Sequence, residues 1–149
     1  MSLKNLLLGR LIGIDYGTKR VGVAVTDPLK MIASGLITVG SHEILDFLED
    51  YCKKEVVDGI VLGFPKKMNN TDSDSLYFVK QFETAVKRRL PSIPVYLIDE
   101  RFTSQLAMDA MIRGGMKKKE RQVKANLDKV SAAIILQSYL EQINIKHFK

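Results

Sequence analysis

Asp15, Glu100 and Asp128 are three acidic residues in three different settings. Asp15 lies inside the apolar stretch LIGIDYG, Glu100 closes VYLIDER apart from its final arginine, and Asp128 opens the alanine-rich segment LDKVSAAIILQSYL. A carboxylate in an apolar element is costly to bury unless something cationic compensates it. Two unit charges ~4 Å apart repel by roughly 4 kcal/mol at an effective dielectric of about 20. A carboxylate cluster without a cation would therefore raise its own pKa values. If the fold gathers these residues, a divalent metal is the natural compensation, and the chemistry it brings is phosphodiester hydrolysis.

The surroundings of each acid carry further signals. Asp15 is followed by Gly17, Thr18, Lys19, Arg20 and Gly22, a tight turn with cations beside a strand-end carboxylate. Glycines at such a place let a phosphate backbone approach closely. The Asp-x-Gly-Thr turn alone is ambiguous: ATPases of the actin, hexokinase and Hsp70 superfamily set a similar turn around nucleotide phosphates, and a turn-capping aspartate is the structural alternative. In VYLIDERFT, strand alternation puts Asp99 and Glu100 on opposite faces, so only one of them can share a face with Asp15. Periodicity leaves that choice open. Arg101 is placed to steer phosphate or simply to pair with Asp99. Asp128 falls in the expected first turn of a helix, where the helix dipole favours a carboxylate for structural reasons alone. Ser131, Ala132 and Ala133 behind it are small enough for close packing on a sheet.

Composition narrows the function classes. A chain of 149 residues fits one compact domain, residues 1–149. Twenty-three lysines and arginines against seventeen acidic residues give a net charge of +6, which favours polyanionic partners. Cys52, the single cysteine, cannot form an internal disulfide and reads as a small apolar residue in reducing cytosol. The apolar run NLLLGRLIGI is interrupted by Arg10 and lacks a cleavage site, so neither a signal peptide nor a membrane span is expected and a cytoplasmic location is. With His42 and His147 as the only histidines, zinc and triad chemistry are disfavoured.

The elements that must position these residues follow from patterning. Arg10 to Tyr16, Arg20 to Asp27 and Met31 to Val39 are β-rich runs separated by a few residues, which predicts an antiparallel meander. Ser41 is the expected cap of a helix from His42 to about Lys54. Val57 to Leu62 and Pro94 to Asp99 predict buried strands, with a helix carrying Leu76, Val79, Phe82, Val86 and Leu90 between them. Thr103 is expected to cap a helix from about Ser104 to Ile112, and a last helix covers about Leu127 to Glu141. The α/β order, three strands, then α-β-α-β, then helices, implies a mixed five-stranded sheet with crossover helices. GIVLGFPKKMNNTDSDS supplies a strand-to-helix loop at the carboxyl end of the sheet. RGGMKKKERQVKAN predicts a basic loop able to grip a nucleic-acid strand, its alternative being a solvated connector.

Taken together, GIDYG, GFP with MNNT behind it, DERFT and D-x-x-S-A-A-x-x-I-L resemble the YqgF family, also called RuvX, of RNase H-like proteins, over nearly the whole span from Arg10 to Leu140. The resemblance implies a ribonuclease H-like fold, a mixed five-stranded sheet (β-β-β-α-β-α-β-α) with helices on both faces, and a nuclease whose acidic positions fall on Asp15, Glu100 and Asp128, selecting Glu100 over Asp99. It further implies two Mg²⁺ or Mn²⁺ ions held by those three carboxylates, one lowering the pKa of the attacking water and the other stabilising the leaving oxygen. Gly17, Arg20, Lys67 and Arg101 would hold the substrate backbone, with Lys117, Lys118, Lys119 and Arg121 more peripheral. The implied task is maturation of the 5′ end of precursor 16S rRNA in ribosome biogenesis, with structured RNA and the small ribosomal subunit as partners. Holliday junction resolution on DNA is the same-chemistry alternative. It calls for a dimer, whereas the sequence shows no heptad and suggests a monomer or weak homodimer. A non-catalytic rRNA-binding module is the alternative from another class, and an ATP-hydrolysing lobe is disfavoured because one lobe leaves nothing to close. One departure from the family pattern is Met68-Asn69-Asn70 where Met-Asp-Gly is usual, which removes an acidic residue from that loop.

Overall fold

The structure, a computed structural model, describes residues 9–64, 73–99 and 124–147. Lys67 with its loop, Glu100, Arg101, the expected helix at Ser104 to Ile112, and Lys117, Lys118, Lys119 and Arg121 lie outside the described residues. Within them the chain forms β1 (Arg10–Tyr16), β2 (Arg20–Thr26), β3 (Ala33–Gly40), α1 (Ile44–Lys54), β4 (Val57–Phe64), α2 (Ser73–Arg89), β5 (Val95–Asp99) and α3 (Lys124–His147).

The sheet order is β3-β2-β1-β4-β5. Strands β1, β2 and β3 form the expected antiparallel meander, while β4 and β5 run parallel to β1 and are reached through α1 and α2. This is the mixed five-stranded sheet that the patterning implies.

Alternation along β1 divides the molecule. Ile12 and Ile14 point to one face, where they pack with Val21, Val23, Ile60 and Leu62 of the sheet against Ile44 and Leu48 of α1 and Val79, Phe82 and Val86 of α2. Leu11 points to the other face, which holds Ala24, Val61 and Ile98 against Ala132, Ile135, Leu136 and Leu140 of α3. Among the described residues a single helix thus covers the second face, and it approaches closely. A Cβ at Gly13 would stand 2.8 Å from the Ala132 carbonyl oxygen and from Leu136 Cβ. Of the three small residues expected to pack on the sheet, Ser131 and Ala132 are buried and Ala133 is partly buried against the same core.

Several element ends differ from expectation, and for three of them the reason is visible. β3 starts at Ala33 rather than Met31 because Asp27 organises the preceding turn: its Oδ1 accepts the N–H groups of Met31 (2.8 Å) and Ile32 (2.7 Å), and its Oδ2 accepts that of Leu29 (3.1 Å). Helix α1 starts at Ile44, and Ser41 does not cap it; the Ser41 hydroxyl donates to the Thr18 carbonyl at 2.5 Å. Helix α3 starts at Lys124, so Asp128 lies a full turn inside it and outside the first turn, where the dipole acts most strongly.

Candidate active site

Asp15 continues the alternation of β1 and therefore falls on the α3 face with Leu11 and Gly13. Its cross-strand partner in β2 is Gly22. Directly paired residues share a face, so Gly22 also looks toward α3. There a Cβ would stand 2.0 Å from the backbone oxygen of Asp128. Only a residue without a side chain lets the helix come this near. The close approach anticipated for a phosphate backbone at this glycine is taken instead by the protein's own helix, and it is what carries Asp128 to the strand bearing Asp15.

The two aspartates line one polar cleft of about 300 Å³ together with Tyr16, Gly17, Thr18, Lys19 and Arg20. Asp128 is half-buried, its side chain 22% exposed, and the Arg20 Nε–H donates to its Oδ2 at 3.0 Å. Arg20 supplies locally the positive charge that the helix dipole supplies only weakly one turn inside α3.

The turn that forms the floor of the cleft is braced from several directions. Gly17 N–H donates to the Arg20 carbonyl at 3.0 Å, and a Cβ at Gly17 would stand 2.6 Å from that same oxygen, so glycine is needed there for space. Ser41 fastens the turn to the end of β3, donating its N–H to the Lys19 carbonyl at 3.1 Å and its hydroxyl to that of Thr18. Tyr16 stacks on Phe82 of α2, with ring centroids 4.5 Å apart. The strand end is thereby tied to the large core on the opposite face.

Asp99 belongs elsewhere. In β5, Val95 packs with the α1 and α2 core, Tyr96 stacks on Tyr139 of α3, and Ile98 sits in the α3 core. Alternation then sends Asp99 to the face away from Asp15 and Asp128.

Of the residues the sequence singles out, the structure brings Asp15, Gly17, Arg20 and Asp128 to one cleft. Among the described residues no group of three or more acidic, histidine or cysteine side chains comes together. Asp15 and Asp128 nonetheless form an all-oxygen pair at a solvent-open, polar site, which fits a hard divalent cation such as Mg²⁺ or Mn²⁺ and suits zinc or copper poorly. Sequence reasoning missed the positioning roles of Gly22 and Ser41. Their types gave a signal, a glycine amid β-branched residues and a serine after a strand, but not the partner each one meets.

Comparison with known proteins agrees with this geometry. The family model described as "RuvX: Holliday junction resolvase" matches residues 9–142. The chain belongs to the RuvX family. Proteins named "Putative pre-16S rRNA nuclease" from Phocaeicola vulgatus and Parabacteroides distasonis are 53% and 54% identical to it over 134 residues, covering 90% of this chain and 96% of each relative. Among solved structures, RuvC of T. thermophilus in complex with a Holliday junction substrate superposes with a TM-score of 0.54 at 17% identity, covering 90% of this chain and 96% of that one. A second Thermus thermophilus RuvC structure gives 0.53 at 16% identity, covering 89% and 96%. At this identity the likeness is one of fold, and it bears out the ribonuclease H-like architecture. No described helix is long and apolar enough to cross a membrane.

Proposed function

We propose that this RuvX-family protein is a metal-dependent nuclease that hydrolyses phosphodiester bonds at the 5′ end of precursor 16S rRNA during assembly of the small ribosomal subunit in the cytoplasm. The enzyme class and the substrate are supported by relatives about half identical to it over nine-tenths of its length. The observation that carries the chemistry is the meeting of Asp15 and Asp128 in one cleft beside Arg20.

Asp15 and Asp128 would hold the divalent cations, with Glu100 as the third carboxylate. The placement of Asp99 on the opposite face supports Glu100 as the acid of that pair in this role. The bound cations supply an activated water at neutral pH and charge stabilisation for the leaving oxygen. The chain's own part is to fix the carboxylates before substrate arrives. Asp15 is held in a paired strand, Asp128 in a helix seated on Gly22, and the turn between β1 and β2 is braced by Ser41. Close placement of this kind is worth a large share of the rate, because reacting groups misplaced by about 1 Å lose on the order of 10²-fold.

Arg20 and Lys19 at the cleft, with Lys67 and Arg101, would hold the backbone around the scissile phosphate. Lys117, Lys118, Lys119 and Arg121 would grip the strand further out. The net charge of +6 supports a polyanionic substrate. Resolution of Holliday junctions is the second reading, favoured by the description of the family model.

The test is a cleavage assay offering precursor rRNA 5′ ends, four-way DNA junctions and single strands to wild type and Asp15→Asn, with Mg²⁺, Mn²⁺ or EDTA. Cutting that needs the cation and is lost in the variant supports the mechanism, and the preferred substrate separates the two readings. Cutting retained by Asp15→Asn would overturn it, whereas tight binding without cutting by either protein would favour an rRNA-binding module.

A further inference from the structure

We propose that Arg20 is a latch on the cation site: it neutralises Asp128 while the cleft is free of metal and gives up that carboxylate when a divalent cation arrives. This rests on the cation-binding reading of the cleft. A half-buried carboxylate is steadied by a counter-charge, and the Arg20 guanidinium is the one that the described residues give Asp128.

The contact is built to be released. It runs through Arg20 Nε alone, at 3.0 Å, whereas the strong arginine–carboxylate arrangement is a two-point fork. Arg20 is also 43% exposed, so water weakens the attraction and can solvate the guanidinium as it leaves. The backbone beneath it cannot follow: the Arg20 carbonyl is held by the Gly17 N–H, the adjoining turn by Ser41, and Arg20 itself pairs with Gly40. Release is therefore a side-chain motion about a fixed pivot. A guanidinium set free at the rim of the cleft has the planar donor fork that suits a phosphate. Loading the cation would thus deliver Arg20 to the substrate backbone.

Competition of this kind has a direct signature in metal binding, without nucleic acid. Titration of the whole chain with Mn²⁺, followed by calorimetry or by the Mn²⁺ EPR signal, would compare wild type, Arg20→Gln, Arg20→Lys, Asp128→Asn and Asp15→Asn. Removing a competing positive charge a few ångströms from a divalent ion is expected to tighten Mn²⁺ binding by about 3- to 10-fold in Arg20→Gln, after allowance for salt screening. Arg20→Lys keeps the charge but loses the fixed geometry, and should fall between the two. In a cleavage assay, the Mn²⁺ concentration giving half-maximal rate should drop in Arg20→Gln while the maximal rate also drops, a split that a strut holding α3 in place would not produce.

Mn²⁺ affinity unchanged or weakened in both Arg20 variants, with binding still lost in Asp15→Asn and Asp128→Asn, would overturn the latch and leave the cation site standing. Mn²⁺ binding that is indifferent to both aspartates would overturn the cation site, and the latch with it. Arg20→Lys keeps the test decisive should Arg20→Gln unfold.

Discussion

The two faces of the sheet are built on different principles. One packs large side chains, with Ile12, Ile14, Ile44, Leu48, Ile60 and Leu62 all essentially without solvent exposure, beneath two crossover helices. The other brings α3 down onto glycine and alanine, at Gly13, Gly22 and Ala24. The first face buries more apolar volume and should supply most of the stability. The second trades volume for proximity, and proximity is what places Asp128 beside Asp15. Stability and site geometry are therefore assigned to opposite sides of the same strand, β1, which serves both through alternation.

The largest effect expected from breaking this division is chemical. Asp15→Asn should lower cleavage by about 10³-fold or more, since several kcal/mol of charge stabilisation depend on the site, while its urea midpoint should stay near that of wild type. A midpoint that falls along with the activity would mean that Asp15 serves the fold.

Substitutions on the two faces should then separate. Leu48→Ala opens a cavity in the large-residue core and should destabilise by about 2–5 kcal/mol in urea unfolding, with the rate per folded molecule preserved. Gly22→Ala puts a methyl where the Asp128 backbone already lies. It should destabilise by only about 1–3 kcal/mol and yet abolish most cleavage, because α3 must shift and take Asp128 with it. Equal loss of activity in the two variants would erase the distinction between the faces.

A smaller effect is expected from the basic segment. Replacing Lys117, Lys118 and Lys119 with alanine should flatten the log–log dependence of RNA affinity on salt by up to about 2, at roughly 0.7 for each phosphate of a single strand that is no longer neutralised. An unchanged slope would make the segment a solvated connector.

The smallest effect concerns the turn at the opposite end of the meander. Hydrogen bonds from the Ile32, Met31 and Leu29 backbone hold the Asp27 carboxyl below its ordinary value, the Ile32 bond most strongly. A depressed folded-state pKa contributes stability that is complete above the unfolded value, about 3.9, and is lost as pH falls through the folded one. Asp27→Ala should accordingly narrow the stability gap to wild type below about pH 4, read from urea midpoints at pH 3 and pH 7. A constant gap would remove the carboxylate charge from the account.

Much of this molecule was legible in its residues. The strand and helix order follows from patterning because the periods of two and 3.6 are local properties. The resemblance carried by four short motifs pointed to Asp15 and Asp128, and the fold brings both to one cleft. Periodicity alone could say only that Asp99 and Glu100 face opposite ways, and the packing of Val95 and Ile98 on opposite cores shows which way Asp99 goes. The cap assigned to Ser41 failed because a hydroxyl takes whichever carbonyl the tertiary fold brings near, here that of Thr18.

Sequence by itself determined the order of the described elements, the basic net charge and the candidate acids, since each depends on residue type and near neighbours. Tertiary structure decided that Gly22 seats α3, that Arg20 rather than the helix dipole steadies Asp128, and that one turn is braced by a serine from β3's end. Arg20 and Asp128 are 108 positions apart in the chain. No local pattern records a contact at that separation; it exists only because strand pairing and helix packing close the distance.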